Sequence, residues 1–309
     1  MSEYIVQSSS LQAVANKIRE KTGDSAPLEF PDEFITAIDG LGGQLVVPDD
    51  SVLFYSLDEF TLNTANLSKN WDGTVYYSYD HNSWNEWDGS LLRAVRGKLY
   101  IRGINNTRMN GTLTGNYTFE LNGTNIMAYG NIENLFDYVK VLNNQSIPFY
   151  HNAMANLFNG QIALVRAPDF GTSPLVRQPD DTSVSGMCEG IYYGSGIIDC
   201  PKIPTPAVDV KTFRSAFAFC SRLRSLPELL PTAIETNSYE YMFDSCPNIK
   251  MSTTRTGIYQ NEYRIPAIGT GTAVSGGLSN MFSNTGGSFK STPSINTTYY
   301  TSNTVIPST

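Results

Sequence analysis

The sequence predicts a multidomain, mainly β chain: an N-terminal helical hairpin and linker over 1–43, an antiparallel β-sandwich-like domain over 44–150, and an irregular solenoid with a Ser/Thr-rich end over 151–309. Three observations predict it. Two short apolar stripes at helical spacing open the chain, residues 52–129 hold β-branched and aromatic runs between Gly, Asn and Asp clusters, and the second half repeats one hydrophobic pattern. With 309 residues and 40% hydrophobic content, the chain is long enough to bury real cores.

The first stripe is Leu11, Val14, Ala15 and Ile18, preceded by the capping hydroxyls of Ser8-Ser9-Ser10 and followed by Gly23. The second runs from Pro31 through Asp32, Glu33, Phe34 and Ile38 to Gly40, with proline and acidic residues suited to a helix start. Helices shorter than ~12–15 residues are marginal alone, so these pack on each other or on a partner. Leu11, Val14, Ile18, Phe34 and Ile38 are therefore the candidate attachment residues.

Gly40-Leu41-Gly42-Gly43 marks a flexible break. Strands are predicted at Val52–Tyr55, Thr74–Tyr79, Leu91–Val95, Lys98–Ile101, Tyr117–Leu121 and Ile126–Tyr129. Short strands at this spacing favour an antiparallel sandwich. Trp71, Trp84 and Trp87 are expected to pack in its core or hairpins, and Asp80–Ser83 to form a hairpin tip.

The repeat is an aromatic or aliphatic anchor, a hydrophobic residue six places on, and usually a proline ten places on. It reads Phe158, Leu164, Pro168; Ile191, Ile197, Pro201; Phe217, Leu223, Pro227; Phe243, Ile249; and, with one extra residue, Phe282, Phe289, Pro293. The anchors stand 33, 26, 26 and 39 residues apart, so only the centre is regular. A unit of this size cannot bury its own apolar face and must stack on copies of itself. The spacing lies in or near the roughly 20–29 residues of leucine-rich repeats. Cys220 and Cys246 hold one repeat position, where Gln161, Gly194 and Thr285 stand in the other copies. The cysteines lack zinc-site spacing and are expected to be reduced, inward-facing thiols.

The string Ala216-Phe217-Ala218-Phe219-Cys220-Ser221-Arg222-Leu223-Arg224-Ser225-Leu226-Pro227, echoed from Met242 to Ile249, resembles the BspA-type leucine-rich repeat over roughly 150–295. That family occurs in bacterial surface adhesins and phage structural proteins, so the resemblance implies binding rather than catalysis. The string Ile18-Arg19-Glu20-Lys21-Thr22-Gly23, followed by Phe30-Pro31, is similar to a motif near the start of phage tail and other virion proteins. It implies a hairpin that docks to the particle or forms an oligomeric junction.

Net charge is −8 with no basic cluster beyond Lys17–Lys21, which argues against a nucleic-acid groove. No apolar run approaches the ~18–20 residues of a membrane span, and the start lacks a signal-peptide pattern, which favours a virion protein over a secreted adhesin. His81 and His151 read as turn or junction residues, and the pairs Asp49-Asp50 and Asp180-Asp181 as solvated loops. No catalytic residue, metal site or cofactor is expected. Eighteen tyrosines among Gly, Ser, Asn and Thr supply rigid amphipathic contact area, with Tyr192, Tyr193, Tyr239, Tyr241, Tyr299 and Tyr300 as candidate surface recognition residues.

Together these features favour a non-enzymatic bacteriophage virion structural protein on an exterior appendage, a tail fibre or tail tip, that binds the host surface through its C-terminal repeats. The expected partners are other virion proteins through the N-terminal region, a host surface glycan or protein, and further copies of the chain. A capsid or tail decoration protein without a receptor role and a bacterial BspA-like surface adhesin are the alternatives, with a carbohydrate depolymerase as the enzymatic one.

Overall fold

The β-branched and aromatic runs after Gly43 form strands whose alternate side chains face one interior. They are seen in a computed structural model that describes residues 45–95, 97–109, 118–183, 185–266, 272–274 and 276–302. The chain divides into two units, Met1–Val47 and Pro48–Thr309. The expected helical hairpin, with Leu11, Val14, Ile18, Phe34 and Ile38, lies outside the described residues.

The second unit is mainly β. Its first strands are β1 (Val52–Tyr55), β2 (Phe60–Thr64), β3 (Thr74–Ser78), β4 (Asn85–Glu86), β5 (Leu92–Ala94), β6 (Lys98–Ile104), β7 (Phe119–Asn122) and β8 (Ile126–Tyr129). Sequence patterning locates β1 and β8 to the residue and misses β2, whose Phe60-Thr61-Leu62 alternation sits directly after a turn. A six-stranded sheet runs β4-β3-β6-β1-β8-β9, where β9 is Leu164–Arg166, and a three-stranded sheet runs β5-β2-β7. All pairs are antiparallel except β8 with β9. Val52, Phe54, Leu99, Ile101, Ile126 and Ala128 of the larger sheet share one core with Phe60, Leu62, Leu92, Phe119 and Leu121 of the smaller.

A helix that patterning does not predict, α1 (Asn134–Leu142), packs on β6. It breaks at Asp137, whose backbone is extended and whose carboxylate accepts a hydrogen bond from the Lys140 amide, capping the second part. Gly103 of β6 permits the close approach, since a Cβ there would collide with the Leu135 carbonyl. Trp71 and Trp87 are buried with ring centroids 5.1 Å apart, as expected of core tryptophans.

From residue 152 the chain makes five stacked tiers. Within each tier every second amide donates three residues back, as Ala153, Ala155, Leu157 and Asn159 do to Tyr150, Asn152, Met154 and Asn156. The intervening amides of Met154, Asn156, Phe158 and Gly160 donate to the carbonyls of Met187, Glu189, Ile191 and Tyr193 in the next tier. This arrangement repeats from tier to tier, so alternate amides stabilise the turns and bond the stack together. It also demands a left-handed backbone at about every fourth residue: Asn152, Asn156 and Gly160; Gly190 and Gly194; Lys211, Ser215 and Phe219; Asn237, Tyr241 and Ser245; Gly276, Asn280 and Asn284. Asn and Gly dominate because they enter that region at least cost.

The ladder assigns the register. Successive core rings are Phe158, Tyr192, Phe217, Phe243 and Phe282, stacked at 5.6, 5.4, 5.5 and 5.6 Å. Tyr192 therefore replaces Ile191 as the second anchor; Ile191 is buried one place earlier, level with Leu157, Ala216, Met242 and Met281. The sequence pattern slips here because two apolar residues adjoin and the second tier has one residue fewer before Ile197. Leu164, Ile197, Leu223 and Ile249 are all buried as predicted. In the fifth tier β14 (Gly286–Gly287) pairs with β11 (Lys250–Ser252), so the glycines, not Phe289, follow the Ile249 level. Phe289 is half-buried against Phe282 and Tyr299, at 6.1 and 4.9 Å.

The first tier grows out of the sheets. Phe119 and Ile126 donate to Leu157 and Ala163, and the Phe119 and Phe158 rings meet at 5.5 Å, so the 44–150 and 151–309 regions share one core. At the far end β15 (Thr297–Thr301) pairs with β11 and with β12 (Asn261–Ile265) and covers the last ring. Glu262 and Arg264 place exposed charges on the β12 edge, which guards it against pairing with another chain. β10 (Ala233–Ile234) and β13 (Thr272–Ala273) form a separate parallel pair.

Candidate recognition surface

Stacking places equivalent residues of the tiers in columns. Three columns face inward: the rings, the residues before them, and Met154, Cys188, Phe213, Tyr239 and Leu278 four places earlier. The position three after each ring is small or polar and also buried: Gln161, Ser195, Cys220, Cys246 and Thr285. Here Ser195 stands where the Ile191 register put Gly194. These side chains bond to neighbouring backbone. Gln161 Oε1 accepts from the Leu121 amide at 2.8 Å, Cys220 Sγ donates to the Tyr192 carbonyl at 3.0 Å, and Cys246 Sγ to the Phe217 carbonyl at 3.0 Å. All four cysteines are free, and burial pushes the Cys220 thiol up to about 11.

This geometry divides the six tyrosine candidates. Tyr192 and Tyr239 are fully buried in inward columns, and Tyr299 is buried beneath the terminal sheet, where its hydroxyl accepts from the Ser294 amide. None of the three presents a recognition face. Tyr193 is exposed, and Tyr241 and Tyr300 are half-exposed, in the second tier, the fourth tier and β15 respectively. No ring contact joins those three among the described residues.

What Tyr193 does meet is Phe219 of the third tier, at 5.0 Å between centroids, with 36% and 49% of the two residues exposed. Phe219 escapes sequence reading because it adjoins the buried Phe217-Ala218 pair; its signal is an aromatic at a left-handed outer position otherwise given to Gly, Ser or Asn. Tyr193, though not Phe219, also lines a groove of about 440 Å³ together with Asn156, Asn159, Ser185, Glu189 and Ser215, among others. Glu189 of that lining is held by charge: Arg214 bridges it at 3.0 Å and Glu240 at 2.8 Å across three tiers.

Other charged groups serve the frame. Arg177 clamps Asp209 with bonds of 2.7 and 3.1 Å. Partial burial pushes the Asp209 carboxyl upward, but bonds from Arg177 and the Val210 amide hold it below its ordinary range. Asp50 and Asp181 are not solvated loop carboxylates. Asp181, almost buried, takes His151 Nδ1 at 2.7 Å, while Asp50 takes His81 Nε2 at 2.7 Å and Arg102, whose guanidinium lies over the Trp84 and Tyr138 rings at 3.8 and 4.1 Å. Partial burial opposes it, yet His81 and Arg102 hold Asp50 low. The Asp80–Ser83 tip is a tight polar turn, with the exposed Asp80 carboxylate accepting from the Asn82 and Ser83 amides. Glu133 is buried and accepts from Ser173 Oγ at 2.9 Å and its amide at 3.2 Å, and burial raises its carboxyl above the ordinary range.

Among the described residues, no group of three or more His, Cys, Asp or Glu side chains could hold a metal ion, and no helix is long and apolar enough to cross a membrane. No known protein family, curated protein or solved structure matches the chain.

Proposed function

We propose that this chain is a structural protein of a bacteriophage virion, on a tail fibre, tail tip or similar exterior appendage, and that it binds the host surface without catalysis. On this reading residues 1–43 attach to other virion proteins, the 44–150 strands form an antiparallel sandwich, and the tiers are a short BspA-like leucine-rich-repeat solenoid. The observation that carries the recognition role is the contrast between columns. Inward positions stay apolar or aromatic in all five tiers, while the column two places after the rings, never buried, reads Gly160, Gly194, Phe219, Ser245 and Asn284. A stack that keeps its core and varies its outer face suits binding. The virion assignment rests on the Ile18–Gly23 string and its resemblance to virion proteins.

Two measurements test it. Antibodies against the tiers should label an exterior appendage of the particle encoded with this gene, and excess purified protein should compete with that particle for adsorption to its host. Labelling of the capsid shell with no competition would return the reading to a decoration protein.

A further inference from the structure

We propose that the groove lined by Tyr193, whose ring Phe219 packs against, binds a neutral saccharide, which names the ligand class of the recognition reading above and rests on it. The first argument is the ring pair. The five anchor rings are consumed in the core, yet these two lie outside it, tilted by 42° and half-open to solvent. The C–H face of a pyranose ring packs on such a surface without polar groups having to be desolvated.

The second argument is the backbone. Phe219 stands at φ 61°, in a left-handed position whose counterparts in the other tiers are Gly160, Gly194, Ser245 and Asn284. A bulky aromatic is disfavoured there, and residues held in strained conformations cluster at functional sites. Because the ring is half-exposed, packing alone does not account for it.

The third argument is the lining. Asn156, Asn159, Ser185 and Ser215 offer amides and hydroxyls that both donate and accept, as sugar hydroxyls do, and Asn159 Nδ2 already orients Asn156 Oδ1 at 3.1 Å. At about 440 Å³ the groove falls within the ~300–1,000 Å³ of small-ligand sites. Charge then selects among saccharides. Among the described residues no lysine or arginine lines the groove, Glu189 does, and the nearby Arg214 is committed to two carboxylates. On a chain of net charge −8, sulfated, phosphorylated or sialylated polymers are repelled.

The test is a printed array of microbial polysaccharides and neutral oligosaccharides, with heparin and polysialic acid included, probed with the purified full chain. The expected result is retention on at least one neutral glycan, little changed by 0.5 M NaCl as roughly expected for uncharged contacts. Tyr193→Ala and Phe219→Asn should each weaken it tenfold or more, with Phe219→Asn holding or raising the Tm. Retention on no neutral glycan, salt-sensitive retention on the anionic polymers, or unchanged binding by both variants overturns the proposal. A parallel arm separates it from the reading it rests on. If the protein still binds host cells whose glycans have been cleaved by periodate, the ligand is a protein and only the saccharide assignment fails; if it binds neither treated nor untreated cells, host recognition fails as well.

Discussion

Tyr192 offers the sharpest test of the tier register. Sequence reading puts it on the surface beside the anchor Ile191, whereas the structure makes it the second ring of the stack, fully buried between Phe158 at 5.6 Å and Phe217 at 5.4 Å. Truncating a buried aromatic costs about 3–5 kcal/mol, which includes the ~0.5–1.5 kcal/mol carried by each ring pair. Tyr192→Ala should therefore cost about 3–5 kcal/mol, read as a lowered urea midpoint at constant slope. Tyr192→Phe should behave in the opposite sense. The hydroxyl is buried without a hydrogen-bond partner, and an unsatisfied buried polar group costs ~1–3 kcal/mol, so its removal leaves stability unchanged or raises it by up to about 2 kcal/mol. If Tyr192→Ala left the midpoint within about 0.5 kcal/mol of wild type, as surface substitutions usually do, the assigned register would be wrong.

The remaining predictions use other parts of the frame. Phe217→Ala should cost about 3–5 kcal/mol and Phe219→Ala, two residues on but half-exposed, less than about 1 kcal/mol; equal losses in urea unfolding would contradict the division of columns. In native protein at pH 8, Cys188, Cys220 and Cys246 should resist a thiol reagent because burial raises all three thiols, while denaturant should release four reactive thiols; fewer than four would mean a disulfide. Glu133 has its folded pKa raised by burial, so its stabilising contribution is full below the ordinary carboxylate range and is lost as pH rises through the folded value. Glu133→Gln should accordingly gain on wild type as pH rises from the ordinary carboxylate range through the folded value, and a difference that does not change with pH would refute it. Gly171→Ala should destabilise by about 1–3 kcal/mol, because the added Cβ collides with the Glu133 carboxylate; an unchanged Tm would show that the carboxylate moves aside freely.

How much was legible in the sequence follows from which interactions are local. Strands β1 and β8 could be read because their β-branched and aromatic runs end at turn residues within the same few positions. Leu164, Leu223 and Ile249 could be read because the turn sequence fixes their distance from the preceding ring. Tyr192 and Tyr239 could not, since a tyrosine among glycines or among polar residues such as Asn237, Ser238 and Glu240 looks like surface until the ladder from the neighbouring tier specifies which column it occupies. The Phe289 error has the same origin: only pairing between Gly286–Gly287 and Lys250–Met251 shows that the fifth tier skips a step. The Tyr193 and Phe219 pair is likewise invisible along the chain, being a contact between residues 26 apart that stacking alone creates.

The turn ladder explains how one stack can hold a constant core and a changeable surface. Alternate amides are satisfied inside the tier and the others by the tier above, so these backbone bonds require no outer side chain. The ring column and the two columns beside it then supply the burial, leaving the outer positions constrained only where the backbone is left-handed. At those positions the cheap residues are glycine and asparagine, and Asn152, Asn156, Gly190, Gly194, Asn237, Asn280 and Asn284 accept that bargain. Phe219 and Tyr241 do not, at φ 61° and 54°. Left-handed backbone costs an ordinary residue roughly 1–2 kcal/mol relative to the right-handed form, a sizeable share of a typical domain's ~5–15 kcal/mol stability. Stability alone would favour replacing both with asparagine or glycine. Within the chain the Phe219 ring gains its contact with Tyr193, and on the function proposed above the open faces of Phe219 and Tyr241 are what a bound partner would cover.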